Sequence, residues 1–224
     1  MVKVDVEKRN AAEEAIKYIK DGMIVGLGSG STVNWMLKVL GEKVHSGLNI
    51  KGVPTSKKTE LLAQKLGIPL VDFSNEVEIN VAIDGTDEVD ANYNLLKGGG
   101  GSLVREKLIG IAANKLIIIA DKSKVVSTLG AFSLPVEILP FGWEVTKHRI
   151  SKLGCEPSLR KKEGEVFISD NGNYIVDCEF GVISHPEIVH EQLKLMSGVV
   201  ETGLFINMTD TIIVGYQDHV EYLR

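Results

Sequence analysis

Residues 80–106 read NVAIDGTDEVDANYNLLKGGGGSLVRE. The segment opens on an apolar run, Val81–Ala82–Ile83, which has the character of the end of a buried strand. It then turns abruptly acidic, with Asp84, Asp87, Glu88 and Asp90 placing four carboxylates in seven residues. Lys97 follows, then four consecutive glycines, Gly98 to Gly101, and Ser102 opens a helical pattern that carries Arg105, Glu106 and Lys107. In an open parallel sheet, ligands bind just beyond the carboxyl ends of the strands. The segment therefore puts acids, a lysine and bare backbone where a polar ligand would sit.

Upstream of this segment, strands alternate with helices. Residues 7–20 are rich in helix formers, with an apolar stripe of Ala11, Ala12, Ala15, Ile16 and Ile19. A short strand over Met23–Val25 leads into Gly26-Leu27-Gly28-Ser29-Gly30-Ser31-Thr32, and a helix over Val33–Leu40 follows. A strand, a glycine-rich turn and a helix form the phosphate-cradling unit of α/β proteins, because glycine admits close approach and the helix start offers free N–H groups. The third glycine comes one place too early for a dinucleotide fingerprint, and Val33 stands where a Walker lysine would be. A tight turn with a Ser or Thr cap is the plainer alternative.

Further strands are expected at Ile50–Val53, Ile68–Asp72, Val81–Ile83 and Lys115–Ala120, with helices at 57–66 and from Ser102 to about Asn114. This alternation predicts an α/β fold, a doubly wound, mostly parallel, Rossmann-like sheet. After Gly130 the order changes to strand (136–139), helix (143–153), strands (156–159 and 174–179), helix (186–196) and strand (199–206), a split, ferredoxin-like α+β pattern. Thr211–Gly215 is apolar and β-rich and is expected to rejoin the first sheet. The expected division is 1–130 plus 207–224 for the catalytic domain and 131–206 for a smaller domain serving assembly.

The chain has 224 residues, is 44% hydrophobic and carries a formal net charge of −5. It can bury a real core and has no global attraction for nucleic acid or anionic membranes. Cys155 and Cys178 are too few for a disulfide framework or zinc ribbon, and the five histidines lack metal-ligand spacing. Trp35 and Trp143 lack the basic, aromatic surroundings of a nucleic-acid stacking platform. The opening residues MVKVDVEKRN have no apolar signal core, and no run approaches the ~18 apolar residues of a membrane span, so a cytoplasmic protein is expected.

The acid cluster fits no calcium loop, and a phosphatase nucleophile is excluded because Ala82 occupies its place. Four glycines cost entropy on ordering, so they suit backbone that sits against a ligand or a loop that moves. On its own helix Glu106 lies off the apolar stripe of Val104, Leu108, Ile111 and Ala112, which reads as an exposed acid favoured by the macrodipole.

Taken together, GLGSGST at 26–32, DGTDEVD at 84–90, KGGGG at 97–101, REK at 105–107 and ADKSK at 120–124 resemble the A-type ribose-5-phosphate isomerase family. Order and spacing agree over nearly the whole chain, with Thr86 standing where some members have Ala. The resemblance implies interconversion of ribose 5-phosphate and ribulose 5-phosphate through an enediolate, in the pentose phosphate pathway, with no metal and no cofactor. It makes Glu106 the base, with Lys97 and the Gly98, Gly99 and Gly100 amides as oxyanion donors. Asp84 and Asp87, with Gly85 and Thr86 between them, hold sugar hydroxyls, and their division of labour stays open. Ser29, Gly30, Ser31 and Thr32 cradle the phosphate end, with Lys124 and, more weakly, Lys8 adding positive charge. The resemblance also implies a homodimer or homotetramer. Two other readings use the same fold: a nucleotide-dependent oxidoreductase, for which Pro54-Thr55-Ser56 lacks a ribose-gripping acid, and a sugar-phosphate sensor, for which no basic extension is present.

Overall fold

The computed structural model describes residues 3–73 and 78–223. The chain forms two compact units, one of Met1–Thr86, Arg105–Val125 and Met208–Arg224, the other of Asp87–Val104 and Val126–Asn207.

The first unit is built on a six-stranded sheet in the order Val220–Tyr222, Thr211–Gly215, Leu116–Asp121, Val81–Gly85, Ile24–Leu27, Lys51–Pro54. All pairings are parallel except the last hairpin, where Val220–Tyr222 runs antiparallel to Thr211–Gly215. Leu116–Asp121 and Thr211–Gly215 are buried along their whole length, as continuous β-branched runs in a sheet covered on both faces should be. The helix Lys3–Ile16 buries Ala11, Ala12, Ala15 and Ile16, and Ser31–His45 buries Val33, Met36, Leu37 and Leu40. Thr211–Gly215 rejoins this sheet beside Leu116–Asp121, as its composition predicts.

The expected strand at Ile68–Asp72 is reduced to a single bridge between Gly52 and Leu70. Pro69 has no N–H to donate, and the pairing stops at two bonds, Gly52 N–H to Pro69 O and Val71 N–H to Gly52 O.

The second unit contains a four-stranded antiparallel sheet in the order Val199–Thr202, Leu134–Ile138, Tyr174–Glu179, Glu156–Leu159, with helices Trp143–Ser151 and Pro186–Lys194. The chain order is β-α-β-β-α-β, and the sheet places the fourth strand beside the first and the third beside the second, the ferredoxin-like arrangement. Its core includes Leu134, Val136, Ile150, Val176, Leu193 and the free, buried Cys178.

Two features of this unit differ from expectation. The strand expected over 199–206 breaks at Gly203, whose N–H bonds Pro135 O and whose O accepts from Lys97 N–H. Leu204–Phe205 then pairs with Leu95–Leu96, which pairs with Glu88–Val89, in a small three-stranded sheet. Strands of two residues have no periodicity, so nothing in the sequence announces them. Through this sheet, segment 87–104 packs with 126–207, whereas the sequence places it with the first domain.

Candidate active site

In the first unit the chain leaves Ile24–Leu27 for Lys51–Pro54 on one side and later returns to Val81–Gly85 on the other. This reversal is a topological switch point, where α/β sheets bind ligands. Gly28 and Asp84 face each other across it. Gly28 N–H donates to Ile83 O at 3.0 Å, and Ser29 N–H donates to Asp84 Oδ1 at 2.9 Å. Gly85 N–H adds a second bond to the same oxygen at 2.7 Å. Asp84, only 3% exposed, is thus oriented by backbone amides from two strand ends. A Cβ on Gly28 would lie 2.2 Å from Asp84 Oδ1, so only glycine fits there.

The glycine-rich loop is ordered by hydroxyls that the sequence reading did not single out. Ser29 Oγ lies within 2.9 Å of the hydroxyls of Thr55, Ser56 and Thr59, and Thr59 Oγ1 donates to Gly28 O. The Ser29 side chain therefore braces the loop from behind. The Pro54-Thr55-Ser56 segment, silent as a ribose grip, supplies this brace. Gly30 adopts φ 118° at the start of the helix Ser31–His45 and provides no side-chain cap, which leaves the first-turn amides for an anion. Lys8 Nζ donates to Ser31 Oγ at 2.9 Å, and Thr32 is buried behind it. Lys124 ends a short 3₁₀ turn after Leu116–Asp121, a strand adjacent to Val81–Gly85.

Glu106 sits on the helix Leu103–Ala112 and is 6% exposed. The structure reverses the face expected from the apolar pattern: Leu108 and Ile111 are exposed, while Leu103, Glu106, Lys107 and Ile109 are inside. This helix carries apolar residues on several faces, so packing rather than periodicity chose its buried one.

In the second unit, Lys97 is 2% exposed, with Nζ 5.3 Å from the centre of the Phe205 ring. It extends from Leu95–Leu96, the middle strand of the three-stranded sheet, rather than from a solvated hairpin tip. Asp87 Oδ2 accepts from Gly99 N–H at 2.8 Å, so this amide of the glycine run is turned onto a carboxylate. Gly98 and Gly101 take φ of 102° and 85°. Of the remaining acids, Glu88 accepts from Gly130 and Phe132 N–H, and Asp90 accepts from Asn92 and Asn94 N–H. The four-carboxylate cluster thus divides into two acids that clamp loops and two, Asp84 and Asp87, aligned by loop amides. Among the described residues no three His, Cys, Asp or Glu side chains form a metal-binding group.

Ser29–Thr32, Asp84–Thr86, Glu106 and Lys124 lie in one unit and Asp87 and Lys97–Gly100 in the other. The chain passes from the first to the second between Thr86 and Asp87 and returns between Val104 and Arg105. Residues 51–219 match the family model of ribose 5-phosphate isomerase A (phosphoriboisomerase A). The chain belongs to the ribose 5-phosphate isomerase A family. It is 55% identical over 217 residues to ribose-5-phosphate isomerase A 1 of Oceanobacillus iheyensis, covering 96% of this chain and 97% of that one. The Bacillus mycoides enzyme is 50% identical, with 96% and 97% covered. Among solved structures, a D-ribose-5-phosphate isomerase in complex with phospho-erythronic acid superposes with a TM-score of 0.94, at 38% identity and 99% coverage of both chains. The Plasmodium falciparum ribose 5-phosphate isomerase gives a TM-score of 0.94 at 41% identity, with 97% of both chains covered.

Proposed function

We propose that this chain interconverts D-ribose 5-phosphate and D-ribulose 5-phosphate by proton transfer, with Glu106 as the shuttling base. In the open-chain aldose, the Glu106 carboxylate removes the C2 proton. The C2–H electron pair forms the C1=C2 bond as O1 takes a proton, which gives the enediol(ate). O2 then loses its proton, C1 takes the proton held by Glu106, and the ketose is formed. Lys97 and glycine-run amides stabilise the developing oxyanion. Asp84 and Asp87 hold the sugar hydroxyls, assist ring opening and relay the proton between O1 and O2. The helix start at Ser31–Thr32, with Lys8 and Lys124, receives the phosphate. Gly85, Thr86 and Gly98 supply backbone around the sugar, while Ser29 and Gly30 shape the loop.

The burial of Glu106 on the helix that follows the glycine run carries this reading. A carboxylate withdrawn from bulk water on a well-packed helix is suited to proton transfer and poorly explained as a surface acid. The phospho-erythronic acid bound by a relative fits the same chemistry, since a sugar-acid carboxylate is planar and bears two oxygens, like an enediolate. The oxidoreductase alternative is disfavoured because Thr55 and Ser56, where a ribose-gripping acid would stand, are engaged with Ser29. A sensor on this fold would bind the sugar phosphate without turnover.

Replacing Glu106 with Gln tests the assignment. The amide preserves shape but accepts no proton, so kcat should fall by ~10²–10⁴-fold with thermal stability and substrate binding retained. An E106Q enzyme with near-normal kcat would refute it.

Among the described residues no helix is long and apolar enough to cross a membrane. We place the enzyme in the cytoplasm and assign it a homodimeric or homotetrameric state, with residues 131–206 serving assembly. Phe141, at 95% exposure, and the exposed Val145 and Leu195 in that segment support the assembly role. Light scattering that shows a fully active monomer would overturn it.

A further inference from the structure

We propose that Arg160 is a positioning residue for the isomerisation, holding the Gly98–Gly100 peptide planes so that their N–H groups are presented on the side of Asp87. The proposal rests on the reading above, in which Asp87 and the glycine run act on the sugar oxygens.

Arg160 lies between the strands Glu156–Leu159 and Lys161–Lys162, and its backbone is held at both ends. Its N–H donates to Ile175 O at 2.8 Å, and its O accepts from Phe167 N–H at 2.9 Å. The hairpin that begins there closes through Glu163 and Gly164, both with positive φ (54° and 89°), the pattern of a tight type I′ turn. The guanidinium is then fixed by a two-point bond to Asp177: Nε donates to Oδ2 at 2.8 Å and Nη2 donates to Oδ1. The two side chains are 13% and 24% exposed. Asp177 belongs to Tyr174–Glu179, an inner strand of the four-stranded sheet, so the fork is anchored to the most constrained part of the unit.

The remaining terminal nitrogen faces the glycine run. Nη1 donates to Gly98 O at 3.0 Å and to Gly99 O at 3.2 Å. The Phe167 ring lies 5.8 Å from the guanidinium carbon, and the same ring supports the end of the loop, since a Cβ on Gly101 would meet it at 2.5 Å.

Peptide planarity supplies the consequence. Among the described residues no peptide bond is cis, so within each plane the C=O and N–H point in opposite directions. With the Gly98 and Gly99 oxygens both drawn to one nitrogen, the N–H groups of Gly99 and Gly100 are both directed away from it. The first of these is seen to reach Asp87 Oδ2. The second, on Gly100, is the one assigned here as an amide donor for a sugar oxygen. Because Asp177 neutralises the guanidinium, Arg160 works through geometry and not as an extra cation. Lysine could not substitute, since one ammonium cannot grip a carboxylate at two points and also bridge two carbonyls.

The test compares wild type with R160K, R160M and D177N, reading kcat, KM and thermal midpoint on ribose 5-phosphate. Misplacing a catalytic group by about 1 Å can cost ~10²-fold. R160K and R160M should therefore lose kcat by ~10–100-fold with a much smaller change in KM, and added methylguanidinium should restore part of the kcat of R160M. D177N, which keeps the guanidinium and is close to isosteric, should show a smaller loss of kcat and guards against an unfolded R160M. Wild-type kcat in both R160K and D177N, or a fall in thermal midpoint with kcat unchanged, would overturn the proposal. Loss of kcat with no rescue and an equal rise in KM would also overturn it. The outcome is separable from the catalytic assignment: an active E106Q enzyme sinks that assignment, whereas an inactive E106Q beside fully active Arg160 variants sinks only the role of Arg160.

Discussion

Replacing Gly28 with Ala probes how closely the switch point is packed. An added Cβ would lie 2.2 Å from Asp84 Oδ1, 2.4 Å from its Cγ and 2.6 Å from its Cα. Non-bonded heavy atoms settle near about 3.5 Å, so the shortfall at the carboxylate oxygen is about 1.3 Å against 2.2 Å. A rotamer change cannot relieve it, because the Cα of Asp84 is also in the way and Asp84 is held in register with Ile118. The strand ends must separate, which strains the Gly28–Ile83 and Ser29–Asp84 bonds. Overpacking costs ~1–3 kcal/mol and the two strained hydrogen bonds lose ~0.5 kcal/mol each, together ~2–4 kcal/mol. At this chain length the thermal midpoint should drop by ~5–15 °C. A displacement of about 1 Å at Asp84 should lower kcat/KM by ~10²-fold. The control is Gly52→Ala, whose Cβ would press on the side chains of Leu27 (2.5 Å) and Leu70 (3.1 Å) rather than on an acid. It should lose stability while keeping kcat within about threefold of wild type. Calorimetry and steady-state kinetics on both variants decide the matter. A G28A enzyme with wild-type midpoint and kcat/KM would refute the argument that this close approach sets the position of Asp84.

The phosphate grip should act mainly on binding, because contacts to a non-reacting group hold ground state and transition state alike. Lys124→Ala should raise KM by roughly tenfold to a hundredfold, with a smaller effect on kcat, and Thr32→Ala should do so more weakly. Wild-type KM in both variants, or equal turnover of unphosphorylated ribose, would show the cradle to be misplaced. Activity should survive dialysis against EDTA, since the acids are assigned to sugar binding and loop clamping. Loss of activity restored by magnesium or manganese would reverse that assignment.

Much of the architecture was legible because it rests on local chemistry. The unit of strand, GLGSGST turn and helix declares itself through glycine, hydroxyl and apolar spacing. Glu156–Leu159, Tyr174–Glu179 and Thr211–Gly215 coincide with their sequence expectations because β-rich runs or turn residues mark them out. The linked acidic and glycine motifs carry the family resemblance, and their order survives in one dimension without any knowledge of packing. Tertiary structure alone decided the rest. The helix Leu103–Ala112 has apolar residues on several faces, so only its neighbours could turn Glu106 inward and leave Leu108 and Ile111 outside. The pairing of Leu95–Leu96 with Leu204–Phe205 joins residues far apart in sequence through strands too short for any pattern, and it moved segment 87–104 out of the unit to which its acids were assigned. The brace of Ser29 by Thr55, Ser56 and Thr59, and the grip of Arg160 on Gly98 and Gly99, are likewise hydrogen bonds between distant segments. Sequence determines which groups can donate, accept or bury themselves, and periodicity determines the elements that carry them. Which donor meets which acceptor, and which face of an evenly apolar helix is buried, follows from non-local packing that no short window of residues contains.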